Sequence, residues 1–375
     1  MKFEPVPLSE AKGKILGHNI AAANGQRMLR KGKPLTDADL ESLRALGRLS
    51  VYVAQMEPDD VDENKAARRV AEAICGQGLH ITGVASGRAN LLADRQGIGR
   101  IDVERLAQIN ECNGVTIATV MTHSPVHARQ IVATVKIIPY AVPESVVGEA
   151  ETIANPVRIV PVSKAADGAN GSRQIVRVDA LPFRSVGMIL SGSASVHQKL
   201  VNDFAPLRNR IEKLGSALTR TDFVALDDES DEAALADMLR QQIFAGVKMI
   251  LLAGETAIMD EQDIIPRAIE RAGGRVESVG APVDPGNLLM LAYIGDVPIV
   301  GAPGCARSKK INIVDWILPR LLVGDRLTRR DIVALGHGGL LENVAERGMP
   351  RDVKEADIDQ DTESEPTTAV ISSSG

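Results

Sequence analysis

The sequence predicts an α/β chain, with a mostly parallel sheet between helices in its second half and a mixed α+β region before it. Two observations carry this. Short apolar runs closed by glycine, "SVGMILSG" (185–192) and "VKMILLAG" (247–254), alternate with helix-length amphipathic stretches, the pattern of βαβ units whose parallel strands are buried on both faces. The first half instead mixes Val/Ile/Thr-rich strands with isolated helices. At 375 residues the chain is too long for one ordinary core.

In chain order, the first fifty-odd residues join a Gly-rich opening to "LTDADLESLRALG", where Thr36 or Asp37 caps a short helix, and to the strand "SVYVAQ" (50–55). A helix over "VDENKAARRVAEAICG" (61–76) ends at Gly76, and "GVTIATVMTH" (114–123) and "RQIVATVKIIPYAVP" (129–143) read as strands. The interval "SKAADGANGSRQ" (163–174) reads as a junction. Beyond it, Leu200, Phe204, Leu207, Ile211 and Leu214 form a helical stripe that Pro206 is expected to kink. Then follow the strand "DFVAL" (222–226), a helix from "DESDEAALADMLRQQIFAG", the strand "VKMILLAG", and a helix after "GETAIMDEQD". The strands "RVESVG" (275–280) and "VPIVGAPG" (297–304) and the helix "INIVDWILPRLL" (311–322) complete the series. The expected divisions are a small α+β module (1–58), an α+β domain (59–175), an α/β ligand-binding domain (176–345) and a disordered acidic tail (346–375).

Composition excludes several classes. A net charge of −6 and an aromatic content of 2% argue against nucleic acid, which needs basic surface or stacking platforms. No run approaches the length of a membrane span and "MKFEPVPLSE" is not a signal peptide. Cys75, Cys112 and Cys305 make neither a disulfide framework nor a CxxC pair. A cytoplasmic protein without membrane or nucleic-acid partners is expected. No GxGxxG follows a strand, so a Rossmann oxidoreductase is disfavoured.

In open α/β sheets ligands sit beyond the carboxyl ends of the strands, which directs attention to three loops. In "LSGSASVHQKLVND" (190–203), Ser191, Ser193 and Ser195 either hold an anion on backbone N–H groups or simply cap a helix. In the turn after 254, Asp263 and Pro266 suit a capped helix start. Glu255 and Asp260 are surplus to that purpose, and several acids at one turn suit Mg²⁺. In "GAPGCARSKK" (301–310), glycines beside Arg307, Ser308, Lys309 and Lys310 are either an anion site or a solvated basic turn. "PVDPGNLLMLAY" (282–293) is a fourth candidate, turning at Pro285 and Gly286. Cys305 has no identifiable base and reads as a packed residue. Asp227 and Asp228 read as a helix start, with metal binding the minor reading. Ser86, Gly87, Arg88 and Asn90 offer a second ligand surface.

Taken in order, these loops carry a resemblance. The second half resembles the molybdopterin-binding domain shared by the molybdopterin molybdotransferase (MoeA) and molybdopterin adenylyltransferase (MogA) families. The family's Thr-Gly loop is matched by Ser191–Gly192 and its Asp-Asp by Asp227–Asp228. Its Gly-Gly loop ending in Asp-x-x-Pro corresponds to Ala253–Gly254 through Asp263–Pro266, its Pro-Gly to Pro285–Gly286, and its Leu-Pro-Gly to Ala302-Pro303-Gly304. To about residue 345 the chain is similar to a MoeA-related branch of molybdopterin-binding proteins, through "GQRMLRKGKPLTDADLESLRALG", "SGRANLLA", "VATVKIIPYAVPE", "PVDPGNLLMLAY", "GAPGCARSKK" and "LGHGGLL". It departs at the Gly-Gly-x-Ser/Thr-x-Gly loop, replaced by Ala253 to Ile258, and at the Asn of the Pro-Gly-Asn loop, replaced by Cys305. It lacks the Ser-x-x-Asp-Gly-Tyr-Ala signature of the standard molybdotransferase.

The resemblance implies a MogA-like three-layer domain and a molybdopterin or adenylylated molybdopterin ligand, with Mg²⁺ and, for a transferase, molybdate. It places the catalytic and metal-holding acid at Asp263, or at Asp260 because Asp263 stands further from Gly254 than the pattern has it. It assigns ligand binding to Ser191, Gly192, Ser193, Gly254, Glu255, Thr256, Pro285, Gly286, Pro303, Gly304, Arg307 and Ser308. Two functions compete: molybdate insertion, and non-catalytic carriage of molybdopterin to a partner molybdoenzyme or nucleotidyltransferase. A homo-oligomer is expected.

Overall fold

The structure, a computed structural model, describes residues 1–341 apart from 23, 156–173, 227 and 229–230. The expected acidic tail, nearly all of the 163–174 junction and Asp227 lie outside the described residues.

The chain opens with β1 (Lys2–Pro7), β2 (Ile15–Leu16), the small hairpin β3 (Ile20–Ala21) and β4 (Arg27–Leu29), α1 (Asp37–Ala45) and β5 (Ser50–Gln55). Thr36 caps α1 as expected, in a reciprocal capping box with Asp39. Leu16, Leu35, Leu43 and Val53 close a small core of their own. The Asp39 carboxylate also takes a 2.7 Å bond from Lys33. Lys33 first, then Thr36, hold it down from 3.8 to about 2.

Next come β6 (Asp60–Asp62), α2 (Glu63–Ile74), the strands β7 (Leu79–Ala85), β8 (Arg88–Ala93) and β9 (Gly97–Ile101), and α3 (Val103–Asn110). They continue into β10 (Val115–Thr119), β11 (Pro125–Val126), β12 (Ile131–Ile137), β13 (Ala141–Pro143), α4 (Glu144–Ala154) and β14 (Val176–Ala180). The antiparallel sheet β10-β12-β8-β7 and helices α2 to α4 share a second core around Val70, Leu91, Ile109, Val135 and Val147. Alternation explains β12, whose Val135 and Ile137 are buried while Thr134 and Lys136 are not.

The last part runs through β15 (Ser185–Gly192), α5 (His197–Asp203), α6 (Ala205–Lys213), β16 (Ala217–Ala225), α7 (Asp231–Phe244), β17 (Met249–Gly254) and α8 (Ile264–Arg271). It finishes with β18 (Arg275–Val279), β19 (Met290–Ile294), β20 (Val297–Gly301), α9 (Ile313–Val323) and α10 (Arg329–Val333). The sheet order is β16-β15-β17-β20-β19-β18. β16, β15, β17 and β20 run parallel, and β19 pairs antiparallel with both neighbours. The continuous apolar run of β15 is buried from Val186 to Gly192. Its Met188 and Leu190 face a core shared with α5, α6 and α9, and Ile189 faces one shared with α7 and α8.

Three local expectations change. The helical stripe at 200–214 is two helices, α5 and α6, with Pro206 in the first turn of α6 where its missing N–H costs nothing. Asp228 precedes rather than starts α7, which begins at Asp231. Cys305 is half-buried rather than packed away.

The middle and last parts meet across a charged joint. Arg100, with its side chain 11% exposed, gives two bonds to Asp325 (2.7 and 2.9 Å) and one to Asp179 (2.8 Å). Arg320 bonds Asp325 at 3.3 Å and Asp331 at 3.0 Å, and α9 packs against β9. Burial, then the positive charges of Arg320 and Arg100, lower the pKa of His123 at this joint to about 4. It is therefore neutral at physiological pH.

Candidate functional site

The sheet order creates the site. From β15 the chain crosses to β16 on one side and returns to β17 on the other, so the loops leaving these strands diverge and open a crevice at their carboxyl ends. A cleft of about 630 Å³ lies there. Its walls are Ser191 and Gly192 from β15, Leu226 and Asp228 from β16, and Glu255 to Met259 with Gln262 to Ile265 after β17.

Each wall has a local cause. The amide of Glu255 donates to the Ser191 carbonyl at 2.8 Å, drawing the two loops together. Gly192 permits the approach, since a Cβ there would lie 2.8 Å from that of Glu255. Asp263 occupies the N-cap position of α8 without a forward side-chain bond. Its Oδ2 instead accepts from the amides of Met259 (2.6 Å) and Asp260 (3.1 Å), which folds the turn back over the helix start. The expectation of a plain cap at Asp263 is thus corrected: the carboxylate braces the turn. Oδ1 of Asp260 accepts from the amide of Gln262 at 2.8 Å.

Glu255 makes the most telling contact. Its Oε2 accepts from the amide (2.9 Å) and the hydroxyl (3.0 Å) of Ser193, the donors the sequence offers to an external anion. Those bonds, amide first, hold its carboxyl below the usual range, with a smaller contribution from Lys199.

The structure therefore brings together Ser191, Gly192, Glu255, Thr256 and Asp263 in one cleft, with Ser193 and Gly254 at its edge through their contacts with Glu255 and Ser191. Asp260 is exposed in the same turn but is not among the lining residues. The third loop joins indirectly. Arg307 donates to the Gly254 carbonyl at 2.7 Å and lies 5.0 Å over the Phe204 ring, with its buried Nε left without a partner. The Ser308 carbonyl accepts from Arg210 and its hydroxyl from the amide of Lys310. Pro285 and Gly286 pack against the start of α9: the Pro285 carbonyl accepts from Ile313, and a Cβ at 286 would lie 2.4 Å from Ile313 Cγ2. Neither they nor Pro303 and Gly304 line the cleft.

At the β7–β8 hairpin, Lys136 donates to the Ser86 carbonyl and Thr134 to Asn90, so its polar groups serve the sheet. Leu226, Ile258, Met259, Gln262 and Ile265 also line the cleft without belonging to the predicted site; Ile258, Met259 and Gln262 lie in the turn after β17, and Ile265 in the first turn of α8. Among the described residues no group of three or more His, Cys, Asp or Glu is placed to hold a metal ion. Asp263 and Asp260 each have one oxygen not engaged by these turn bonds, which suits Mg²⁺, an ion that takes one or two carboxylates and completes its shell with water and phosphate. Among the described residues no helix is long and apolar enough to cross a membrane.

A family model described as "Domain of unknown function (DUF8806)" matches residues 5–55, and no curated protein matches the chain. Among solved structures, the chain is similar to a molybdenum cofactor biosynthesis protein from Pyrococcus furiosus, at 12% identity over 89% of this chain and 65% of that one, with a TM-score of 0.21. It thus spans slightly less than two thirds of that protein. A molybdopterin biosynthesis MoeA protein from Pyrococcus horikosii is similar at 12% identity over 86% and 75%, with a TM-score of 0.28. The molybdopterin biosynthesis Mog protein from Mycobacterium ulcerans is similar at 16% identity over 37% and 92%, with a TM-score of 0.24.

Proposed function

We propose that the chain is a molybdenum cofactor biosynthesis protein that binds molybdopterin or its adenylylated form in the cleft beyond β15, β16 and β17. The observation that carries the reading is the convergence of three motif positions, Ser191–Gly192, Asp228 and the 254–263 turn, on one crevice at the switch point of the sheet. The sequence quotes these positions in family order. The separate cores support a division of the described residues into three parts near those expected, with β14 going with the middle part through its pairing with β9 and the burial of Val176 and Val178. Cores on both faces of the last sheet support a MogA-like three-layer third domain.

In the transferase version of this reading, molybdate is inserted into the adenylylated ligand. Asp263 or Asp260 would hold Mg²⁺, which would neutralise the charge of the pyrophosphate. Thr256 and Gln262 offer hydrogen bonds along the wall, while Ile258 and Ile265 offer apolar surface to a flat ring. In the carrier version the ligand is held and handed on unchanged. The occupation of the Ser193 donors by Glu255 favours the carrier, because a pyrophosphate end finds those donors already filled.

Incubation with adenylylated molybdopterin, Mg²⁺ and molybdate separates the two: AMP release establishes the transferase, and tight binding without AMP release establishes the carrier. Absence of any bound pterin, by mass spectrometry of the purified protein and by titration, sinks both.

A further inference from the structure

The seat taken by the Glu255 carboxylate has the form of an anion site. An amide and a hydroxyl of one residue, Ser193, converge on one oxygen at 2.9 and 3.0 Å, an arrangement that serves phosphate oxygens as well as carboxylates. The chain has filled it from within. Glu255 is exposed and kept there by hydrogen bonds rather than by packing. The described residues lining the cleft include two further carboxylates, Asp228 and Asp263, and no Lys, Arg or His. The nearby cations stand outside the lining: Lys199 acts on Glu255 itself, and Arg307 is turned to the Gly254 carbonyl and the Phe204 ring.

We propose that Glu255 is a selectivity residue, which holds Ser193 with its own carboxylate and so keeps free phosphate groups out of this end of the cleft. The part of a ligand lodged here is uncharged, or arrives with its charge neutralised by a divalent cation. A phosphate that enters alone must displace Glu255 and then meets the remaining acids. The proposal rests on the cleft being the ligand site, and it adds which part of a ligand that site takes.

Its test needs no pterin. Inorganic pyrophosphate is titrated, without divalent cation, into the full chain and into Glu255→Ala, Glu255→Gln and Glu255→Ala/Ser193→Ala. The Ala variant is expected to bind at least about tenfold more tightly than the unmodified chain, since two donors to a charged group become available. Gln is expected to gain less, because its amide oxygen still accepts from Ser193, and the double variant to lose part of the gain. Equal affinity of Glu255→Ala and the unmodified chain, whether both bind or neither does, overturns the proposal. So does a gain that the double variant keeps in full. Failure to find a pterin would sink the functional reading and leave this comparison intact, and the converse also holds.

Discussion

Replacing Asp263 separates a brace from a ligand group. Two backbone amides, those of Met259 and Asp260, converge on one of its oxygens at 2.6 and 3.1 Å. The side chain is half-buried, so solvent screening brings each bond down to about 1 kcal/mol, the ordinary hydrogen-bond value, and Asp263→Ala is expected to cost the turn about 2 kcal/mol. That is about thirtyfold in the local opening equilibrium. Hydrogen–deuterium exchange resolved to these amides is the assay, because a loop opening need not register in global unfolding. In Asp263→Ala the amides of residues 259 and 260 should exchange about thirtyfold faster. In Asp263→Asn, which retains an acceptor oxygen, they should stay close to the unmodified rate. Unchanged exchange in the Ala variant refutes the brace. With the turn intact in Asn, loss of bound pterin assigns the charge to the ligand, and full retention leaves Asp263 a structural residue only.

Three other outcomes are expected. Asp39 is depressed to about 2 from 3.8, so its contribution of about 2 kcal/mol is fully present above the ordinary carboxylate value and is lost as pH falls from there towards 2; acid titration followed by circular dichroism should show that loss, and Asp39→Ala should flatten it. Gly187→Ala would place a Cβ 1.9 Å from Oε1 of the fully buried Gln242, and overpacking of about 1–3 kcal/mol should appear as a lowered thermal midpoint, with an unchanged midpoint showing that Gln242 has room to move. Arg100→Ala leaves Asp325 and Asp179 short of a partner at the joint between the middle and last parts, and a loss of about 3 kcal/mol should show as faster proteolysis near residue 325, which equal digestion rates would contradict.

The parallel strands were legible because their signal is local. "SVGMILSG" carries no charged residue and is apolar from Val186 to Leu190, and β15 spans that run. Some antiparallel strands were harder, although "RVESVG" did read as the edge strand β18. β19, with its run Met290 to Ile294, overlaps a phrase whose Pro285 and Gly286 advertise a turn, and its pairing with β18 and β20 is what makes it a strand. α4 was missed because Pro143 and Gly148 break the expected helical composition, although its Val147, Ala150 and Ala154 are buried. In the site, the sequence put acids and serines on the right loops but could not say which would meet. The Glu255–Ser193 contact spans 62 positions, a distance at which pairing is decided by sheet order rather than by spacing. Pro285 and Gly286 looked like ligand residues for the same reason that they pack well: glycine permits close approach, and here what approaches is the side chain of Ile313.

The joint around Arg100 has a consequence for how the middle and last parts move. Guanidinium–carboxylate pairs at both Arg100 and Arg320 converge on Asp325, and α9 lies against β9 beside them. A boundary tied in this way resists hinge motion between the two parts, whereas the cleft is walled wholly within the last part, by the loops after β15, β16 and β17. Loosening that joint would therefore free the middle part from the last without touching one residue that walls the cleft.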